Sequence, residues 1–286
     1  MRVLLRIVTM RAMLTVTQEH GENHGRYRVL AVALVAIAAW FACAPALASK
    51  ARPSVYETTM EEQGQKTPEL ATDELKGLLA KGGALLFDAR PAEEYAIAHI
   101  PGSLILDEKQ LGRFTQSFPD RGTNIIVYSN GPFCDRAKLR SEDLQRLGYT
   151  KISRYQLGLP VWRALGNTAE TSLQGFRQVA RESSTVIVDA RSRAQYAAGT
   201  VPGAQAILAG EVSRAEKDRR LRYLDHSTRV IVFGNSAGEA RSVADELARN
   251  AYSNASYFGG AYTELKQAKF FTERKPSASD LDDLTK

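Results

Sequence analysis

One stretch of this chain occurs twice, and that duplication limits the possible folds more than any other feature. DARPAEEYAIAHIPG (Asp88 to Gly102) returns as DARSRAQYAAGTVPG (Asp189 to Gly203), with Asp, Ala, Arg, Tyr, Pro and Gly matched at an offset of 101. Further on, IIVYSNGPFCDRA (Ile125 to Ala137) returns as VIVFGNSAGEARS (Val230 to Ser242) at an offset of 105, placing Asn130 on Asn235 and Arg136 on Arg241. Two colinear matches separated by similar intervening lengths indicate a duplicated unit. The chain therefore reads as residues 67–167 and 168–271, two copies of one domain, with a polar tail at 272–286.

Each copy alternates short apolar runs with helical patterns. The runs are Leu85 to Phe87, Ile125 to Tyr128 and Ile152 to Tyr155 in the first copy, and Val186 to Val188, Val230 to Phe233 and Ala255 to Phe258 in the second. Helices are expected over Thr72 to Lys81, stopped by Gly82-Gly83, from Arg136 to Gly148 with Leu139, Leu144 and Leu147 on its apolar face, and from Ala240 to Arg249. Continuously apolar strands alternating with helices indicate an α/β class, each domain a mainly parallel sheet flanked by helices. In such sheets ligands bind beyond the carboxyl ends of the strands, which places the loops 129–136 and 234–241 where chemistry is expected.

Ahead of the repeats, Arg26-Tyr-Arg28 precedes a long uncharged apolar run, Val29 to Ala48, ending in Ala46-Leu47-Ala48. A basic flank, an apolar middle and small residues at the cleavage positions are the layout of a secretory signal over residues 1–48. Cleaved, it leaves Ser49 first and an exported, periplasmic protein. Retained, residues 29–48 are long enough to anchor the chain in the inner membrane, and this would be its only membrane contact. Residues 49–66 read as a flexible polar spacer. Beyond residue 48 there are 33 basic and 30 acidic side chains, so the net charge of +6 does not point to a nucleic-acid partner. Of the two cysteines, Cys43 lies in the apolar run, which leaves Cys134 as the mature protein's one thiol. Scattered His residues and one thiol match no metal spacing, and no Gly-rich phosphate motif occurs, so neither metal nor cofactor is expected.

The loop Ser129 to Arg136 leads from a strand end to a helix start, where free N–H groups and the helix dipole favour an anion. Arg136 adds a planar donor, and a cysteine in such a cradle is expected to have a lowered pKa. Asn130, Gly131, Phe133 and Asp135 complete the candidate site around Cys134. Asp88, Arg90, Asp189 and Arg191 read as ion pairs tying strand ends to loops. His99 reads as a turn former, Trp162 as core, and the run Arg214 to Arg222 as a solvated helix face.

DARPAEEYAIAHIPG, the strand-to-Arg136 loop and GLPVW (Gly158 to Trp162) together resemble the rhodanese (thiosulfate sulfurtransferase) family, in which tandem pairs are common. The resemblance covers residues 67–262. It implies the rhodanese α/β fold and a loop whose first residue is a Cys that takes a sulfane sulfur and passes it to a thiophilic acceptor. That position is Ser129 in the first copy and Gly234 in the second. Neither can carry a persulfide, so the second site, Gly234, Asn235 and Arg241, is expected to be degenerate. Some sequences resembling this family hold two Cys in the loop, which would make Cys134 the survivor of a pair. Two functions stay open. One is an exported sulfurtransferase of weak or altered activity acting through Cys134 and Arg136 on a small sulfur-containing anion, with a thiol acceptor. The other is an inactive tandem module that binds an anion or a protein partner in the cell envelope.

Overall fold

The computed structural model describes residues 66–221, 227–269 and 271–277. The expected export segment 1–48 lies outside them, with all but Lys66 of the spacer and the last part of the tail. Among the described residues no helix is long and apolar enough to cross a membrane.

The first domain runs α1 (Thr72–Ala80), β1 (Leu85–Asp88), α2 (Ala92–Ile97), β2 (Leu104–Ile105), α3 (Glu108–Ser117), β3 (Ile125–Tyr128), α4 (Arg136–Arg146), β4 (Ile152–Tyr155) and α5 (Gly158–Ala164). The second runs β5 (Ala169–Thr171), α6 (Leu173–Val179), β6 (Val186–Asp189), α7 (Arg193–Ala198), β7 (Gln205–Ala206), α8 (Val212–Lys217), β8 (Val230–Phe233), α9 (Ala237–Arg249), β9 (Ala255–Phe258) and α10 (Tyr262–Gln267). Strand orders are β2-β1-β3-β4 and β5-β9-β8-β6-β7, and every pairing is parallel. Each sheet is covered on both faces. From β3, Ile126 and Tyr128 join a core with Tyr155 and Trp162, while Ile125 and Val127 join one with Phe114 and Leu144. This period-two alternation into two cores explains why the strands are apolar throughout. Each large side chain so buried contributes roughly 1.5–3 kcal/mol.

The extra strand of the second sheet is reduced in the first domain to a single parallel bridge, Glu69 to Arg154, closed by a buried ion pair of 3.0 Å. The repeat therefore extends further back than its two long matches, Thr67-Pro-Glu69 answering Thr168-Ala-Glu170. At the domain junction, the turn after α2 pairs antiparallel with β5: His99 N donates to Glu170 O at 2.9 Å and Glu170 N to His99 O at 2.8 Å. The second domain repeats the device, its Thr200 pairing with Arg274, so the segment beyond α10 takes the place that β5 takes on the first domain. Helices α2 and α6 meet closely at Gly175, where a Cβ would lie 1.8 Å from the Ala96 carbonyl oxygen.

Several expectations need correction. Helix α9 begins at Ala237 rather than Ala240, because Ser236 caps it by accepting from Glu239 N. Leu139 does not join the core; it is half-exposed on α4. The run from Arg214 is not all solvated: α8 ends at Lys217, and Arg220 is buried, its guanidinium held by Asp218 and Glu211 and donating to Ala206 O at 2.8 Å.

Candidate active site

Asp88 and Asp189 end β1 and β6 in full burial, and each binds the arginine two residues on, Arg90 and Arg191, at 2.6 Å. Arg90 also donates to Ala98 O, and Arg191 to Gly199 O at 2.8 Å, so both guanidiniums are spent on holding the turn beside the site. His99 does the same work: Nδ1 lies 2.8 Å from Tyr95 O, and the ring stacks on Tyr95. Trp162 is buried and donates to Thr168 O at 2.8 Å.

The loop between β3 and α4 is supported from below by α5. Gly158 adopts φ +66°, a conformation that favours glycine, and its missing side chain makes room for Ser129 O and Gly131 N. Leu159 N donates to Ser129 O at 3.1 Å, and Cys134 N closes a turn onto Gly131 O at 3.0 Å. This fold of the loop carries Cys134 back over the strand end. Ser129, at the position of the family's nucleophile, is 2% exposed and its hydroxyl donates to Cys134 O at 3.3 Å. Cys134 is half-buried. Burial pushes the Cys134 thiol up, but polar groups of Arg136, Ser129 and Asn130 near it, with the Arg136 charge, outweigh this and leave the pKa below its ordinary value.

Within the cradle expected to hold a substrate anion, the Ser129 hydroxyl is spent on the Cys134 carbonyl. Arg136 is also engaged: its Nη1 lies 3.4 Å from Glu94 Oε1, and Asn130 Nδ2 donates to Glu94 Oε2 at 2.6 Å. Phe133, next to the thiol, is 88% exposed, while Asp135 and Asn130 stand at the surface. Beyond Arg136 a cleft of about 530 Å³ opens, lined by Leu106, Lys109, Leu139 and Arg140 among others.

The second loop is built alike and closed differently. Glu239 reaches back to accept from Asn235 N at 2.6 Å, and its Oε2 would lie 2.9 Å from a Cβ at position 234. The Glu239 carboxylate thus reaches into the second cradle beside Gly234. Asn235 exchanges two hydrogen bonds of 3.1 Å with Gln195, the counterpart of Glu94. Arg241 is not part of this loop: it pairs with Asp245 at 3.5 Å on α9 and lines a cleft at the domain junction. Glu94 and Glu239 are the site residues that sequence reasoning missed. The repeat carried a signal for the first, since an acid at position 94 faces an amide at 195. Among the described residues no cluster of His, Cys, Asp or Glu is arranged to hold a metal.

Two copies of one parallel α/β unit, each with a loop running from the carboxyl end of a central strand into a helix, define a tandem α/β protein. The profile of the rhodanese-like domain matches residues 71–165 and again 173–268, and the chain belongs to that family. No curated protein matches it. Among solved structures it is similar to a thiosulfate sulfurtransferase from Pseudomonas aeruginosa, with 21% identity over 73% of this chain and 44% of that one, and a TM-score of 0.34. It is similar also to a 3-mercaptopyruvate sulfotransferase from Escherichia coli, with 19% identity over 68% and 99% of the two chains and a TM-score of 0.32. A rhodanese-like domain from an Anabaena protein shares 23% identity over 37% of this chain and 80% of its own, at a TM-score of 0.33.

Proposed function

We propose that this protein is an exported sulfurtransferase that works through one domain, with Cys134 as the sulfur carrier. The observation that carries the reading is the place of Cys134, half-buried in the loop that runs from the end of β3 into α4 with Arg136 two residues on, where its pKa is lowered. A thiolate so held attacks the outer sulfur of a sulfane donor of the thiosulfate or persulfide type. With thiosulfate, the new bond joins the Cys134 sulfur to the sulfane sulfur, the old S–S bond breaks and sulfite leaves with the electron pair. A thiol acceptor then takes the outer sulfur and restores Cys134. Activity is weak or altered relative to a loop that begins with cysteine, because the thiol stands five residues later and half-buried. Glu239 in the second cradle supports an inactive partner domain with a binding or structural role. Export rests on the basic flank and apolar run of residues 26–48.

The test is intact-mass analysis after exposure to thiosulfate and to a hydropersulfide. One added sulfur that disappears in Cys134→Ser supports the reading. No addition from either donor, with no transfer to cyanide or a thiol, overturns the enzyme and leaves the binding module. A mature N-terminus at Ser49 tests export, and full-length protein in membranes favours the anchor.

A further inference from the structure

We propose that the outer edge of β2 in the first domain is a docking site for an extended peptide of a partner protein, one that carries an acidic residue two positions from an apolar one. The site is separate from the Cys134 loop and does not depend on its role. Strand β2 stands at the end of its sheet, so one side of it has no neighbouring strand. Leu106 N donates to Asp88 O at 2.8 Å, and the register of Leu104 on Phe87 ties that residue to β1 as well. Alternate residues of a parallel strand bond the same neighbour, so Ile105 between them turns its N–H and C=O outward. The second domain shows what that outward position takes. Its counterpart by register is Ala206, whose carbonyl accepts from Arg220 Nη1 at 2.8 Å, and Arg220 is buried and fixed there by Asp218 and Glu211. That domain closes its own edge with a side chain. Among the described residues no side chain does so for Ile105.

Instead a groove of about 760 Å³ runs between β2 and α3. Its floor is the buried rings of Phe87 and Phe114, and its accessible wall includes the half-buried Phe118 and Leu104, which is 43% exposed. Lys109 and Arg113, one turn apart on α3, are exposed on its rim, and among the described residues no acid lines it. The nearest acids in sequence are used elsewhere. Asp107 caps α3, accepting from Lys109 N and Gln110 N at 2.9 Å, and Glu108 lines the cleft beside Arg136. Like charges at the spacing of Lys109 and Arg113 repel, and an acid brought from outside relieves them. An extended segment supplies each missing complement: a backbone to pair with Ile105, and side chains two residues apart on one face for the apolar wall and the cations.

The test uses the full chain and a fluorescein-labelled octapeptide, Ser-Thr-Val-Thr-Phe-Thr-Glu-Thr, which puts Val, Phe and Glu on one face, with the same peptide carrying Lys for Glu as its control. Fluorescence anisotropy reads affinity, and amide exchange followed by NMR reads Ile105. Binding is expected to slow exchange at Ile105, and Arg113→Glu to weaken it about fivefold, the order for one exposed ion pair replaced by a repulsion. The Lys-bearing peptide should lose affinity in the same way. Leu104→Lys places a charge on the exposed edge and should abolish binding. Urea unfolding checks that both variants fold, and the exposed helix position of Arg113 keeps the test decisive if Leu104→Lys loosens the sheet. No binding at millimolar peptide, equal binding of the two peptides, or unchanged exchange at Ile105 overturns the proposal. So does a dimer of the protein that Leu104→Lys dissolves, because a second copy is then the occupant.

Discussion

Gly158→Ala tests whether α5 shapes the reactive loop. Residue 158 adopts φ +66°, where a non-glycine residue costs about 1–3 kcal/mol. The new methyl would also lie 2.4 Å from both Ser129 O and Gly131 N, distances that real side chains do not tolerate, and both neighbours are backbone. The loop must move away, and the Leu159 to Ser129 hydrogen bond of 3.1 Å is lost with it, at about 1 kcal/mol. The sum is about 2–4 kcal/mol of stability. Because the Asn130 amide moves with the loop, the Cys134 pKa should rise toward its ordinary value as well. Urea unfolding reads the first effect. The pH profile of iodoacetamide alkylation reads the second, with both proteins in a Cys43→Ser background. A variant with the wild-type midpoint and an unchanged alkylation profile would refute the claim that this glycine creates the space for the loop.

Four further outcomes follow from the same structure. Ser129→Ala should move the alkylation midpoint of Cys134 upward, since the Ser129 side chain is among the groups that lower the thiol's pKa. A depressed folded pKa adds stability above the unfolded value and loses it as the pH falls through the folded one. The stability gap between wild type and Cys134→Ser should therefore widen toward alkaline pH, as measured by unfolding at a series of pH values. Asp88→Ala leaves Arg90 buried with no carboxylate at 2.6 Å and should cost about 3–5 kcal/mol by denaturation. Gly234→Cys should gain no sulfur from either donor, because the Glu239 carboxylate already takes the Asn235 amide; labelling by thiosulfate at that site would refute the occupied cradle.

How much of this was legible in the chain depends on the range of the interaction concerned. The duplication, the α/β class and the central strands follow from local pattern: each strand is four residues of uninterrupted apolar character, and burial on both faces is what that pattern means. The roles of Asp88 with Arg90, and of Asp189 with Arg191, were also readable, because partners two residues apart at a strand end meet whatever the rest of the chain does. The two-residue edge strands β2 and β7 were not, since their pairing depends on neighbours brought by the sheet rather than on their own pattern.

The site divides along the same line. Composition and position alone placed Cys134 and Arg136 in a loop between a strand and a helix, and the family resemblance put Ser129 and Gly234 where its nucleophile is expected. Only the tertiary structure decided what fills the two cradles, because that depends on side chains reaching across elements. Glu94 comes from α2 to hold Asn130 and Arg136, and Gly158 from α5 makes room for the loop. Glu239 folds back from α9 onto an amide four residues earlier. A single strand-to-helix segment marks where a site is expected. What stands in it, the Cys134 side chain in the first domain and the Glu239 carboxylate in the second, is settled by the geometry that packing imposes on each loop.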